Sequence, residues 1–483
     1  MLLTLQGLIN LLNIDQEQIQ TVNQQSFMMN DDKLLELTIN GVSTDTRTAE
    51  KNQLFVPLIG EKFNGHDYRQ VAYNRGCIVT FWDQSIVVPQ ISGIYILVND
   101  TLQALQNFAH QYRKSLDIQV IGITGSNGKT TTKDLVASVL RQKYQVFQTK
   151  GNLNNHIGVP LTLLSLTSQD EIAVVEMGMS GFGEIALLSK IASPDIGIVT
   201  NIGESHIENL GSRKNIGKAK FELLENMQAG IALVNGDDAI IEELIAEFPA
   251  EHPIQFIRYA VNNENAQYCA KIVNSQSHLI GAETIFDVIQ NNNEKFATIT
   301  TREPGQHNIY NSLVAFVTGL LMGVSIDKIQ KGLMEANRTP MRMDISRYQN
   351  SYIINDAYNS SPTSTKAALT YIAQLSEPLK KVVLLGDMLE LGEYAKQFHK
   401  DIGEYTNSLP IDVVLCYGND AKYFSSVING AEYYPNGTED SLIERVKTEL
   451  SNGCILLLKG SRGMKLERFI AFTKEVLSEN GEG

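Results

Sequence analysis

A chain of 483 residues has room for about three domains at ~150 residues each. With 43 % hydrophobic and 19 % charged residues it has an ordinary globular composition, which excludes a disordered tail and a collagen or coiled-coil fibre. Its 40 Lys plus Arg against 54 Asp plus Glu leave a net charge of −14, which excludes a global basic field for nucleic acid; a local basic cluster still suffices for a phosphate, because fields are screened beyond ~8 Å.

The first 15 residues, MLLTLQGLINLLNID, are apolar enough to raise the question of a signal peptide. No Lys or Arg precedes Lys33 and no small-residue cleavage site follows, so we read an amphipathic helix. Residues 1–112 mix turn signals with strand-like runs at 53–60 and 93–98, as in a small α/β domain. From residue 118 apolar strands (118–124, 173–176, 196–202) alternate with helical segments, one of which sets Leu135, Val136, Val139 and Leu140 on a single face. That alternation predicts a mostly parallel sheet covered by helices. Three runs at 268–273, 283–289 and 295–301, separated by Asn and Ser clusters, predict antiparallel strands at one edge of this domain. Residues 307–326 carry no Asp, Glu, Lys or Arg, yet His307, Asn308, Asn311 and Ser312 make a poor lipid face, so a buried helix is expected rather than a membrane span.

The pattern breaks at 337–342 and a second βα series follows, with strands at 352–355, 382–385, 413–417 and 455–458. The expected architecture is therefore α/β in three domains: 1–112, 113–336 and a Rossmann-like 337–483. We see no internal repeat or long linker, so the domains are expected to close over a shared site. Cys77, Cys269, Cys416 and Cys454 show no CxxC spacing, which argues against a disulfide framework or a zinc knuckle and fits a reducing compartment.

The strand at 118–123 runs into Thr124-Gly-Ser-Asn-Gly-Lys-Thr-Thr131 and then a helix, the context a phosphate cradle requires. Gly125 and Gly128 let N–H groups of Thr124 to Thr131, Ser126 and Asn127 among them, converge on phosphate oxygens. The helix N-terminus adds positive charge, Lys129 reaches the β/γ oxygens and the Thr130 hydroxyl can ligate Mg²⁺. A plain glycine turn is the other reading. Ile123 stands where the GxxxxGK[ST] pattern has its first Gly. Two carboxyl-edge residues accompany the loop. Glu176 ends a strand, where a carboxylate faces the ligand crevice or is simply solvated. His206 follows the strand at 196–202 and shares that edge.

This loop resembles that of the Mur ligase superfamily, the ATP-dependent enzymes that extend the peptide of cell-wall precursors, together with folylpolyglutamate synthetases. GNLNNHIGVP (151–160), NIGESHIENLGS (201–212), DAYNSSP (356–362), LGDMLELGE (385–393) and KGSRGMKLE (459–467) extend the resemblance over residues 43–467. The last two are similar to the branch that joins D-alanyl-D-alanine to UDP-N-acetylmuramoyl-tripeptide.

The resemblance implies a UDP-binding first domain, an ATP-binding second and a C-terminal ligase domain. It implies ATP and Mg²⁺ as cofactors and the UDP-tripeptide and D-alanyl-D-alanine as substrates. It also implies a cytoplasmic monomer with no nucleic-acid partner and no membrane insertion. By the same resemblance Glu176 and His206 bind metal with Thr130. Lys220 matches a lysine carried as an N-carboxylated metal ligand, although on its own it reads as a solvent-face lysine beside Lys218. Asn308 and Asn311 share a helical face and match the adenine site; capping of the helix start is the alternative. Arg342 matches an arginine that reaches the γ-phosphate, with Met341 where a glycine is usual, and Asp356 matches a ribose-binding carboxylate. Asn359 and 459–465 match the dipeptide pocket, and Asn154 and Asn155 match residues holding the substrate near the γ-phosphate. Ser43, Asp45, Arg47 and Asn64 fall in segments similar to the uridine-nucleotide site, though such residues are common in surface turns. Lys129, Lys220, His206 and Arg342 are thus the candidate catalytic set. The competing expectations are a folylpolyglutamate synthetase and a non-catalytic nucleotide switch.

Overall fold

Thr4 starts the first helix, Leu5–Leu12 (α1): its side chain accepts the Gly7 N–H at 3.0 Å, Leu5 and Leu8 face the core, and Asn13 ends the helix in a left-handed conformation. The expected amphipathic helix is therefore present. The computed structural model describes residues 1–22, 34–275, 278–279, 283–291, 295–302, 305, 307–337 and 339–473; Arg338, in the segment where the pattern breaks, lies outside them.

The N-terminal domain holds a five-stranded sheet of Ile19–Val22 (β1), Val42–Ser43 (β2), Leu54–Phe55 (β3), Val79–Asp83 (β4) and Gly93–Val98 (β5), in the order β1-β5-β4-β3-β2. Only two residues of the strand-like run at 53–60 form β3. The ladder stops before Pro57, which has no N–H to give, and Gly60 N–H closes a turn on Phe63 O at 2.9 Å. The helix Thr101–Ser115 (α2), capped by Asp100, leads to the central domain.

The central sheet has nine strands: Gln119–Thr124 (β6), Val146–Gln148 (β7), Ile172–Glu176 (β8), Ile196–Val199 (β9), Gly230–Asn235 (β10), Ile254–Ala260 (β11), Tyr268–Ser275 (β12), Thr284–Gln290 (β13) and Lys295–Thr301 (β14). Their order is β14-β13-β12-β11-β10-β9-β6-β8-β7. β6 lies between β8 and β9, parallel to both, and the chain proceeds from it to opposite sides of the sheet. Such a reversal opens a crevice at the carboxyl ends of the strands. The register sets Glu176 beside Ile123 and Val199 beside Thr124, so the ends of three strands meet there. β12, β13 and β14 are antiparallel to one another at one end of the sheet, as expected, and β12 joins β11 in parallel through only two residue pairs.

Lys129–Leu140 (α3), Arg213–Glu225 (α4) and His307–Leu321 (α5) carry the central site. α5 is buried through most of its length, and among the described residues no helix is long and apolar enough to cross a membrane.

In the C-terminal domain Asp344–Tyr348 (β15), Ser351–Asp356 (β16), Lys380–Gly386 (β17), Val413–Tyr417 (β18), Glu432–Tyr434 (β19) and Cys454–Lys459 (β20) form a sheet ordered β15-β16-β20-β17-β18-β19. The pair β15 and β16 is antiparallel and the other pairs are parallel. The helix Pro362–Gln374 (α6) follows β16, with Ser361 as its cap and Pro362 in its first turn. Its N-terminus abuts the central domain. At the linker, Thr339 Oγ1 donates to Asp134 Oδ2 of α3 at 2.5 Å, tying the phosphate-loop helix to the chain just before Arg342.

Candidate active site

The loop after β6 is shaped by contacts within the protein. Gly125 (φ 149°) and Gly128 (φ 81°) turn the chain, and α3 begins at Lys129. Thr200 Oγ1 and Asn201 Nδ2, just past β9, donate to Asn127 O at 2.6 and 3.0 Å. Asn201 accepts in return, its carbonyl from Ser126 N–H at 2.9 Å and its Oδ1 from Asn127 N–H at 3.0 Å. Two of the N–H groups expected to reach phosphate are thus engaged by Asn201. Those of the first turn of α3 remain, because a helix gives its first N–H groups no internal partner. A Cβ at residue 125 would lie 1.8 Å from Thr200 Oγ1 and 3.2 Å from Thr200 N. Gly125→Ala is expected to abolish nucleotide binding, measured by calorimetry with a non-hydrolysable ATP analogue; binding within threefold of the parent would show that the loop tolerates the shift.

Lys129 Nζ donates to Gly125 O at 2.7 Å. Burial pushes its ammonium below the ordinary lysine range, Glu176 opposes that shift and Arg342 adds to it. Thr130 Oγ1 donates to Glu176 Oε2 and Asn154 Nδ2 to Glu176 Oε1, both at 2.9 Å, while Glu176 is only 2 % exposed. A buried carboxylate beside the loop threonine suits Mg²⁺, which takes one or two carboxylates and completes its shell with phosphate oxygens and water. Asn154, expected near the substrate, is hydrogen-bonded to Glu176.

His206 has a different partner. It adopts φ 66° after β9, and its Nδ1 lies 2.6 Å from Glu390 Oε2 of the C-terminal domain. No group of three His, Cys, Asp or Glu able to hold a metal occurs among the described residues. Lys220, on α4, is 2 % exposed and not on a solvent face; burial, with the charge of Lys129 adding, holds its amine well below the ordinary lysine range.

Asn311 Nδ2 donates to Asn308 Oδ1 at 2.6 Å, and Thr132 Oγ1 donates to Asn311 Oδ1 at 3.1 Å, so α5 presents its two amides beside the loop. Across a cleft of about 170 Å³ stand Arg342, Asp356, Tyr358, Asn359 and Lys459, facing Ser126 to Lys129, Thr131, Asn308 and Asn311. The Arg342 guanidinium lies 4.2 Å from the centre of the Tyr358 ring. Met341 (φ 63°) and Met343 (φ 51°) flank it in left-handed conformations. The residue that replaces the usual glycine thus occupies a backbone region glycine favours, at a cost of about 1–2 kcal/mol. Asp356 Oδ2 pairs with Lys459 Nζ at 2.7 Å, and that ammonium also donates to Asn359 O at 2.7 Å. Ser126 Oγ, Asn127 Nδ2 and Arg342 Nε, all lining or bordering this cleft, are buried with no hydrogen-bond partner among the described residues, as is Thr124 Oγ1. A polar, oxygen-rich ligand would satisfy such a set.

The N-terminal candidates make local contacts. Ser43 Oγ donates to Asp45 O at 3.0 Å, and Arg47 pairs with Asp45 at 2.6 Å with its side chain 87 % exposed. Asn64 accepts from His66 N–H at 3.0 Å, and Asn155 Oδ1 accepts from Ile157 and Gly158 N–H at 3.1 and 2.8 Å. None of these five lines the cleft. Thr200, Asn201, Tyr358 and the Lys459–Asp356 pair were not singled out as contacts from the sequence, although Asn201 opens one quoted motif and Lys459 another.

Residues 123–319 match the Mur ligase middle domain, 341–462 the Mur ligase glutamate ligase domain and 38–113 the Mur ligase family catalytic domain. The UDP-N-acetylmuramoyl-tripeptide–D-alanyl-D-alanine ligase of Bacillus subtilis is 40 % identical over 441 residues, covering 89 % of this chain and 92 % of its own. The Escherichia coli protein of that name is 31 % identical, covering 92 % and 95 %. Among solved structures, MurF from Acinetobacter baumannii superposes with a TM-score of 0.86 at 27 % identity over 98 % of this chain and 99 % of its own. Folylpolyglutamate synthase from Mycobacterium tuberculosis shares the fold alone, with a TM-score of 0.59 at 15 % identity over 76 % and 94 %. The chain belongs to the Mur ligase family, the ATP-dependent amide ligases of peptidoglycan synthesis.

Proposed function

We propose that this ligase joins D-alanyl-D-alanine to UDP-N-acetylmuramoyl-tripeptide through an acyl phosphate, in a bacterial cytoplasm where nucleotide-linked precursors are made. The observation that carries this is the 40 % identity, over 89 % of the chain, to a relative named for that reaction. The cleft supports it, because the phosphate loop on one wall faces Arg342, Asn359 and Lys459 on the other.

Forming an amide from a carboxylate in water needs activation, and the triphosphate supplies it. The tripeptide carboxylate attacks the γ-phosphorus and ADP departs; the dipeptide amine then attacks the acyl carbon and expels phosphate. Lys129 leaves the Gly125 carbonyl to meet the β/γ oxygens, and Arg342 approaches from the C-terminal domain, so two cations flank the spreading charge. Thr130 and Glu176 would hold Mg²⁺, which when bound neutralises phosphate charge. Asn308 and Asn311 border the adenine and Asp356 the ribose. Lys220 would add CO₂ as a neutral amine, and the resulting anion would turn its like-charge contact with Lys129 into an attractive one. His206, which meets Glu390 at 2.6 Å, would join the metal side with Thr130 and Glu176. Ser43, Asp45, Arg47 and Asn64 would take the uridine nucleotide, with Asn155 and Asn359 along the peptide path. Holding both substrates in line is worth up to ~7–11 kcal/mol of barrier.

Purified enzyme is expected to release phosphate from ATP with UDP-muramoyl-tripeptide plus D-alanyl-D-alanine, and not with folate plus glutamate. Parallel tripeptides ending in lysine and in diaminopimelate identify the acceptor's third residue. Turnover with folate and glutamate alone would reverse the assignment.

A further inference from the structure

The C-terminal domain meets the phosphate-binding wall through a carboxylate that the reaction above does not use. Glu204 lies between the strand end at Val199 and His206 and is only 8 % exposed. Its Oε2 accepts from Thr363 Oγ1 at 2.7 Å and from Thr363 N–H at 3.3 Å, in the first turn of α6. Its Oε1 lies 3.9 Å from Arg213 Nε, whose guanidinium is anchored on Ile202 O at 2.6 Å. Two residues earlier the same helix start makes a second crossing, Ser361 Oγ donating to Asn127 Oδ1 at 3.2 Å. Thr363 and Ser364 line the cleft opposite Ser126 and Asn127.

We infer that Glu204 is a positioning residue that latches the C-terminal domain against the central domain through the start of α6. Three physical terms converge on this contact. A carboxylate at a helix N-terminus is favoured by the unpaired N–H groups and the dipole. Its hydrogen bonds are charge-assisted, about twice as strong as neutral ones. Opening the domains exchanges both bonds for water, and their charge-assisted strength makes that exchange unfavourable. α6 follows the strand and loop that carry Asp356, Tyr358 and Asn359, and Arg342 rests on Tyr358, so fixing the start of α6 fixes that wall of the cleft.

Glu204→Ala is expected to lower kcat about tenfold or more and raise KM for the incoming dipeptide. Glu204→Gln, which keeps an acceptor oxygen, falls between Glu204→Ala and the parent. Thr363→Val removes the hydroxyl alone. The two losses must not multiply: Glu204→Ala with Thr363→Val is expected to match Glu204→Ala within twofold. Small-angle scattering of protein saturated with an ATP analogue is expected to show a larger radius of gyration for both single variants than for the parent. The kinetic arm rests on ATP-dependent ligation by the parent, which is measured first, and the scattering arm does not, so failure of the latch is distinguishable from failure of the assigned reaction. Unchanged scattering together with multiplicative kinetic losses would overturn the latch, and Thr363→Val carries the test alone if Glu204→Ala does not fold.

Discussion

Lys129→Ala is expected to lower kcat by at least ~10²-fold while leaving the protein as stable as the parent or slightly more so. The activity loss follows from removing a cation placed where charge spreads during phosphoryl transfer, an effect of ~10²–10³ for comparable single donors. The stability follows from linkage. The Lys129 ammonium is held below the usual lysine value of 10.5, chiefly by burial, so the folded state binds this proton less tightly than the unfolded chain. That penalty is fully present below the lowered folded value and fades as pH rises toward 10.5. Replacing Lys129 removes it at neutral pH. Steady-state ligation and thermal unfolding at pH 7 check both halves. A variant that keeps its turnover would place the phosphate-binding charge elsewhere, and a parent with nucleotide binding but no turnover would be a switch rather than a ligase.

Enzyme stripped of CO₂ is expected to lose at least about nine-tenths of its ligation rate and to regain it on addition of bicarbonate, as expected when a metal-side anion contributing ~10-fold or more is removed. Only the neutral amine of Lys220 adds CO₂, and burial holds that amine well below the ordinary lysine range, so the neutral form is accessible without strong base. The direction with pH is fixed by this: as pH falls through the lowered value the amine protonates, and more bicarbonate is needed to restore activity. Lys220→Arg keeps a cation but is never neutral, so it is expected to be inactive with or without bicarbonate. A carbamate carbon signal in enzyme equilibrated with ¹³C-bicarbonate, missing from Lys220→Arg, gives a readout independent of turnover. Full activity without CO₂ would remove the carbamate from the mechanism.

The strand, loop and helix around Lys129 were legible because local pattern and local chemistry agree there: an apolar β6, glycines at the turn and a hydroxyl-rich helix start. The charge-free run after His307 likewise read as a buried helix and is one. Less was legible where a residue's partner comes from far along the chain. Glu204 and Thr363 are 159 residues apart and Asn201 and Asn127 are 74 apart. Periodicity tells which face a residue occupies, not what meets that face. For the same reason the contacts of Asn154 with Glu176 and of His206 with Glu390, which arrives from another domain, could not be read from the sequence. Met341 stood out as a departure from the family pattern, but its left-handed backbone is visible only in three dimensions.

The bracing of the phosphate loop by Asn201 determines how the enzyme senses its fuel. With Ser126 and Asn127 amides already committed to that side chain and its carbonyl, the cradle is a rigid mould, and an arriving triphosphate orders little chain there. Those amides should exchange their hydrogens slowly even in nucleotide-free protein. The phosphate-loop helix is also tied to the linker by Asp134 and Thr339, which gives the cradle a fixed mechanical connection to the chain that leads into the outer lobe.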